Sequence, residues 1–303
     1  MKKAQQEHNH SLYQQHLNAL LRQGKSRTTI ALYSRAVRRL MKQTDCPLDE
    51  VTLEDLKKHF TLLIESCSWS TVKVERSGLR FFYKHVLNKQ WQWVDIVKPP
   101  HIRTLPDILT HKEISRILHH TRDVRYRTYI LTVYSLGLRR SEALTLKVGD
   151  IDKELMRVHI RCGKGRKDRF ISIPPITLYA LRKYWQSHRN PLWLFPDGRN
   201  PDTRYQATRP MRVEGASAAF KAVVKSVGIH KSVTLHNLRH SYGTHLSEEG
   251  LSLRAIQMAL GHTCPKTTAL YVQLTEIVQQ NTADYTNRMI ERLLSALKEE
   301  VPA

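Results

Sequence analysis

The chain has no run of about 18 apolar residues, so no membrane-spanning helix is expected. Its start, Met1-Lys2-Lys3-Ala4-Gln5-Gln6, is not followed by an apolar stretch, which argues against a secretory signal. The 4 cysteines (Cys46, Cys67, Cys162 and Cys264) are far apart and form no C-x-x-C pair. That spacing suits reduced cytosolic thiols and excludes a disulfide framework or a zinc knuckle. Two further signatures are missing. Gly163-Lys164-Gly165 superficially suggests a P-loop, but the G-x-x-x-x-G-K-[ST] pattern is absent, so ATP binding is unsupported. His236 and His240 are spaced to share a helix face, but no H-E-x-x-H pattern supports zinc. His8-Asn9-His10 spells HNH near the terminus without the context of a metal site. No metal and no cofactor is expected.

Acidic residues are scarce as well: 27 Asp and Glu face 49 Lys and Arg, a net charge of +22. Residues 1–105 carry 18 basic against 9 acidic side chains and the remainder carries 31 against 18, so the excess is no detachable tail. Both parts would feel a polyanion, and nucleic acid is the expected one. The apolar fraction of 41% argues against disorder, and 303 residues are enough for two domains.

The periodicity separates these parts. Residues 10–90 read as helices. Ile30, Tyr33, Val37, Leu40 and Met41 share one face, and Thr52 with Asp55 resembles a helix start ahead of Leu56, Phe60 and Leu63. Leu79, Phe82, Tyr83 and Val86 form another stripe. The opposite faces carry Arg35, Arg38, Arg39, Lys42, Lys73, Arg76 and Arg80, a one-sided cationic surface suited to a DNA backbone. Pro99, Pro100 and Pro106 interrupt any continuous helix, so a domain over 1–98, a linker over 99–108 and a second domain over 109–303 are expected. In the second part a helix over Tyr126–Leu136 is expected to stop at Gly137. The period then shortens to two. Met156, Val158 and Ile160 alternate with Arg157, His159 and Arg161, and Ile171 and Ile173 resume the alternation after Lys164, Arg166 and Lys167. This predicts a β-hairpin with a basic tip. From residue 215 the pattern is helical again, with an apolar seam of Tyr285, Met289, Leu293 and Leu297 near the end. The fold class expected is mainly α with a small antiparallel β-sheet.

Cleaving a phosphodiester without a metal needs a nucleophile, cations on the non-bridging oxygens and a proton for the leaving oxygen. Arginine suits the oxygens through its rigid fork, and lysine can deliver a proton to the leaving group. The chain holds 12 tyrosines, so one alone means nothing. Five segments together resemble the tyrosine recombinase, or phage-integrase, family, in its Xer-like bacterial or mobile-element branch. Gly137-Leu138-Arg139-Arg140-Ser141-Glu142 resembles its first arginine box, Gly163-Lys164-Gly165 its hairpin box, and Leu235-His236-Asn237-Leu238-Arg239-His240 its His-x-x-Arg box. Leu260-Gly261-His262 resembles the next histidine box, and Thr267-Thr268 leads into Tyr271.

The resemblance implies a site-specific recombinase built as a two-domain DNA clamp. It implies Tyr271 as nucleophile, Lys164 as general acid and Arg139 and Arg239 on the phosphate. His236 would assist at the tyrosine, His262 would donate a hydrogen bond, and Glu142 would orient the cations. It also implies a 3′-phosphotyrosyl intermediate formed without metal or ATP, and double-stranded DNA with paired half-sites as partner. Assembly as a homotetramer on synapsed sites is expected, with an accessory protein or partner recombinase possible and a cytoplasmic, nucleoid-associated location. Two rival readings remain at this level. One is a type IB topoisomerase-like enzyme; the other is a DNA-binding regulator using Leu246–Leu260 as a helix-turn-helix around Gly250.

Overall fold

Helix starts are written into the side chains. Ser26 accepts a hydrogen bond from the Thr29 amide at 3.2 Å, and Thr52 and Asp55 satisfy each other's amides in a reciprocal box. A computed structural model describes residues 2–89, 100, 106–161 and 168–261. Lys164, Arg166, Lys167, His262, Tyr271, most of the expected linker and the terminal seam lie outside the described residues. The chain divides into two compact units, Met1–Arg103 and Thr104–Ala303.

The first unit consists of α1 (Lys2–Arg22), α2 (Arg27–Gln43), α3 (Leu53–Ser66) and α4 (Trp69–His85). The stripes expected from the periodicity form its core. Val37, Leu40, Leu56, Phe60, Leu63, Leu79, Phe82 and Tyr83 are buried, while Ile30, Tyr33, Met41 and Val86 are partly buried beside them. Full burial of each of the valine, leucine and phenylalanine side chains contributes about 1.5–3 kcal/mol. The HNH-like triplet is structural. Asn9 is buried and accepts a hydrogen bond from the Leu48 amide at 2.8 Å, and His8 meets Asp49 at 3.0 Å, so α1 pins the loop before α3.

The second unit contains α5 (His111–His120), α6 (Val124–Ser135), α7 (Arg140–Leu144), β1 (Ile151–Asp152), β2 (Arg157–Ile160), β3 (Arg169–Ser172), α8 (Pro175–Gln186), α9 (Pro201–Tyr205), α10 (Val213–Ser226), α11 (Leu235–Glu248) and α12 (Leu253–Leu260). The sheet is antiparallel in the order β1-β2-β3, with Val158 opposite Ile171 and Ile160 opposite Arg169. Val158, Ile160 and Ile171 turn inward to the core. On the other face His159 stacks on Phe170 and the Arg157 guanidinium lies over the same ring at 4.4 Å.

Helix α6 runs through the core and packs on α8, α10 and α11. Two of its tyrosines fasten the surrounding elements: Tyr129 donates to the Arg140 carbonyl at the start of α7 at 2.9 Å, and Tyr134 bonds His245 on α11 at 2.8 Å. Residues before α5 are tied to α11 by the Leu109 amide on Ser241 and by Asn237 on the Asp107 carbonyl. These contacts hold the starts of α7 and α11 in fixed positions, and both carry the candidate site. No helix among the described residues is long and apolar enough to cross a membrane.

Candidate active site

Helix α6 ends in a turn at Gly137, whose φ of +56° favours glycine. A Cβ there would come within 2.4 Å of the Tyr242 ring, so the position is closed to other residues by space as well. The turn places Arg139 immediately before α7. Its own amide donates to Glu142 Oε2 at 3.0 Å and its Nη1 donates to Glu142 Oε1 at 2.6 Å. Its Nη2 approaches the Gly261 carbonyl at 3.4 Å.

Arg239 is presented from α11, one turn beyond the Thr234 cap. Its side chain is only 1% exposed. Nη1 donates to the Gly137 carbonyl and Nη2 to the Leu260 carbonyl, both at 2.6 Å. It also lies 3.9 Å from Glu142. The segment that the rival reading takes for a helix-turn-helix has this local geometry: α11 ends at Glu248, Gly250 turns the chain at φ +83°, and Ser252 caps α12. The end of α12 points its Leu260 and Gly261 carbonyls at the two arginines, so the motif serves the site.

Glu142 is the hub. It is buried, and burial alone would raise its pKa. The fork of Arg169 on both of its oxygens, at 3.0 and 2.8 Å, and the Arg139 contacts reverse that and bring it to about 2. One carboxylate thus faces three guanidinium groups. Arg169, the first residue of β3, was not expected from the sequence. It is 27 residues from Glu142, so no local pattern flags the pair.

His236 joins the arginines on the wall of a cleft of about 600 Å³, lined by Arg139, Arg140, Lys221, Ser232, Thr234 and His236 among others. Its pKa is lowered, first by desolvation and then by the nearby Arg239, Arg139 and Arg140 charges, which favours the neutral ring near pH 7. His240, one turn on, meets it edge to face at 4.6 Å and is lowered to about 4 by burial and then by His236 and Arg239.

The structure therefore brings together Arg139, Glu142, His236 and Arg239. Of the cations expected to bind DNA, Arg35, Arg38, Lys73 and Arg80 are exposed on α2 and α4, and Arg76 is half-buried. Arg39 differs: it donates to buried Glu75 at 3.1 Å, and Glu75 lies 3.6 Å from His59, so its guanidinium is engaged within the first unit.

A positively charged cluster beside a cleft lined by Arg139, Arg140, Lys221 and His236 is suited to a phosphodiester, and the comparisons with known proteins agree. Residues 107–277 match the phage integrase family model and residues 12–93 match the phage integrase N-terminal SAM-like domain. An integrase/recombinase of Sinorhizobium fredii is 37% identical over 210 residues, covering 67% of this chain and 79% of that protein. The tyrosine recombinase XerA of Thermococcus onnurineus is 31% identical over 280 residues, covering 90% and 93%. A lambda integrase tetramer bound to a Holliday junction shares the fold, with a TM-score of 0.70 at 17% identity over 86% of this chain and 76% of that one. On these grounds the chain belongs to the phage integrase family, the tyrosine recombinases, which cleave and rejoin DNA strands.

Proposed function

We propose that Tyr271 is the nucleophile of this recombinase and that Arg139, Lys164, His236, Arg239 and His262 complete its catalytic set, with Glu142 as their organiser. The Tyr271 oxygen bonds to the scissile phosphorus while the bond to the 5′-oxygen breaks. This leaves a 3′-phosphotyrosyl ester and a 5′-hydroxyl. Lys164 supplies the proton to the departing oxygen. Arg139 and Arg239 neutralise the non-bridging oxygens, His236 accepts the tyrosine proton, and His262 donates a hydrogen bond to the phosphate. The ester conserves the bond energy, so a 5′-hydroxyl from a second strand reverses the step and joins strands without metal or ATP.

The observation that carries this reading is the buried carboxylate of Glu142 facing three guanidinium groups beside an open cleft. Buried cations in excess of their counter-ion call for an anion, and Arg139, on the wall of the cleft, would meet it first with Arg239 behind. His236 fits a proton acceptor because its surroundings favour the neutral ring.

The wider assignment follows the same chemistry. A domain over 1–98 would bind the backbone through Arg35, Arg38, Lys73, Arg76 and Arg80, with Arg39 held instead on Glu75. A linker over 99–108 would join it to a catalytic domain over 109–303, whose hairpin tip adds Arg166 and Lys167. The two would enclose duplex DNA with paired half-sites, and four copies would act on two synapsed sites, as the lambda integrase tetramer on its junction suggests. An accessory protein or partner recombinase would set the direction of exchange, and the enzyme would work at the nucleoid in the cytoplasm.

The decisive experiment uses a nicked substrate that traps the covalent intermediate. Wild-type protein should give a DNA adduct on a denaturing gel, and Tyr271→Phe should bind the same DNA and give none. An adduct that persists in Tyr271→Phe would remove Tyr271 from the site.

A further inference from the structure

Arg169 has more connections than a strand residue needs. It stands at the start of β3, the strand that leaves the hairpin, and its side chain is only 14% exposed. Nη1 donates to Glu142 Oε1 at 3.0 Å and Nη2 to Oε2 at 2.8 Å, a two-armed pair. Its aliphatic end and Nε lie against Gly261, where a Cβ would sit 2.5 Å from Cδ and 2.6 Å from Nε. The φ of +63° at Gly261 and this contact together reserve that position for glycine. Arg169 thus joins β3, the start of α7 and the end of α12.

Stability alone does not explain the arrangement. Burying three guanidinium groups around one carboxylate is costly, and the Nε of Arg169 is buried without a hydrogen-bond partner among the described residues. The geometry accounts for it differently. Because Arg169 occupies both Glu142 oxygens, Arg139 is limited to one arm on Oε1, and its other arm makes only the long 3.4 Å approach to Gly261. Without Arg169, Glu142 would be open to a two-armed pair with Arg139, turning that guanidinium toward the carboxylate and away from the cleft.

We propose that Arg169 is a positioning residue: by occupying Glu142 with both arms it keeps Arg139 presented to the scissile phosphate. The proposal rests on the reading of Arg139 given above. It predicts a loss in cleavage rather than in DNA binding, because both arms of the largely buried Arg169 are taken up by Glu142.

The test compares Arg169→Met, Arg169→Lys, Glu142→Gln and the Arg169→Met/Glu142→Gln pair in single-turnover adduct formation, with DNA affinity measured alongside. Arg169→Met should lose roughly 100-fold in rate, the scale of a misplaced catalytic group, with affinity changed less than about twofold. Arg169→Lys should recover little, because an ammonium cannot span both carboxylate oxygens. The double variant should be no slower than Glu142→Gln alone. On DNA with a neutral methylphosphonate at the scissile position, which needs less cationic neutralisation, the Arg169→Met deficit should shrink at least about tenfold. A purely structural role would leave that deficit unchanged. The proposal is overturned by wild-type rates in Arg169→Met, by losses that multiply in the double variant, or by a deficit insensitive to the methylphosphonate. If Arg169→Met fails to fold, Arg169→Lys carries the same rate and methylphosphonate comparisons. Absence of any adduct from wild-type protein overturns this proposal and the Tyr271 assignment together; an adduct in wild type with undiminished rates in the variants overturns this one alone.

Discussion

Glu142 shows how a single side chain sets the charge state of the site. Burial opposes its ionisation, but hydrogen bonds from Arg169 and Arg139 prevail and hold its pKa near 2, below its ordinary 4.5. A group whose pKa is depressed on folding stabilises the protein above its unfolded pKa and loses that contribution as pH falls through the folded one. The window here is therefore pH 4.5 down to about 2. The shift corresponds to something on the order of 3 kcal/mol. Glu142→Gln should lower the melting temperature at pH 7, and the gap to wild type should narrow as pH is taken from 4.5 toward 2. Parallel melts at several pH values measure it, and a constant gap would show that the ionised carboxylate is not what stabilises the cluster. The sequence pattern made Arg139, Glu142, His236 and Arg239 legible because each sits in a contiguous box of recognisable residues. Arg169 was illegible because its meaning lies in a partner 27 positions away, reached only once the hairpin folds back on α7.

Among the elements, the regular ones were readable and the two-residue strand β1 was not. The helix expected to stop at Gly137 is α6, Val124–Ser135, followed by that glycine at positive φ. Of the alternating residues of 156–173, Val158, Ile160 and Ile171 lie in β2 and β3 and are buried, whereas Ile173 follows β3 and the partly buried Met156 precedes β2 at a φ of +46°. The two-residue strand β1 has too few positions to show a period, and it exists because β2 offers it an edge. Gly137 allows the element-scale logic to be tested. Gly228 also has positive φ, +67°, but nothing lies within 4 Å of a Cβ built there. Gly228→Ala should therefore cost about 1 kcal/mol, the conformational penalty alone. Gly137→Ala adds a clash with Tyr242 at 2.4 Å and disturbs the carbonyl that accepts from Arg239, so about 2–4 kcal/mol is expected. Denaturant unfolding of the two variants measures the difference. Equal losses would mean that the turn relaxes and that the close approach does not define the arginine's acceptor.

At the scale of the whole molecule, the net charge of +22 is a statement about salt. A protein that neutralises phosphates releases counterions, and the logarithm of its affinity falls with that of salt by about 0.9 per phosphate contacted. The structure sorts six of the seven cations read from α2 and α4 by their availability. Arg35, Arg38, Lys73 and Arg80 are exposed, whereas Arg39 is drawn onto buried Glu75. Neutralising the four exposed residues to Gln should weaken DNA binding and make the salt slope shallower by up to about 3–4. Arg39→Gln should act otherwise. It leaves Glu75 short of its cation inside the helical unit, so it should lower stability by about 1–3 kcal/mol and hardly change the slope. Arg139→Ala removes at most one phosphate contact, so it should change the slope by about 1 or less while abolishing cleavage. Anisotropy titrations of a labelled duplex over a range of salt, paired with thermal melts, separate the three cases. A wild-type slope in the fourfold variant would mean that α2 and α4 do not carry the backbone contacts, and that the basic excess acts on DNA through the second unit.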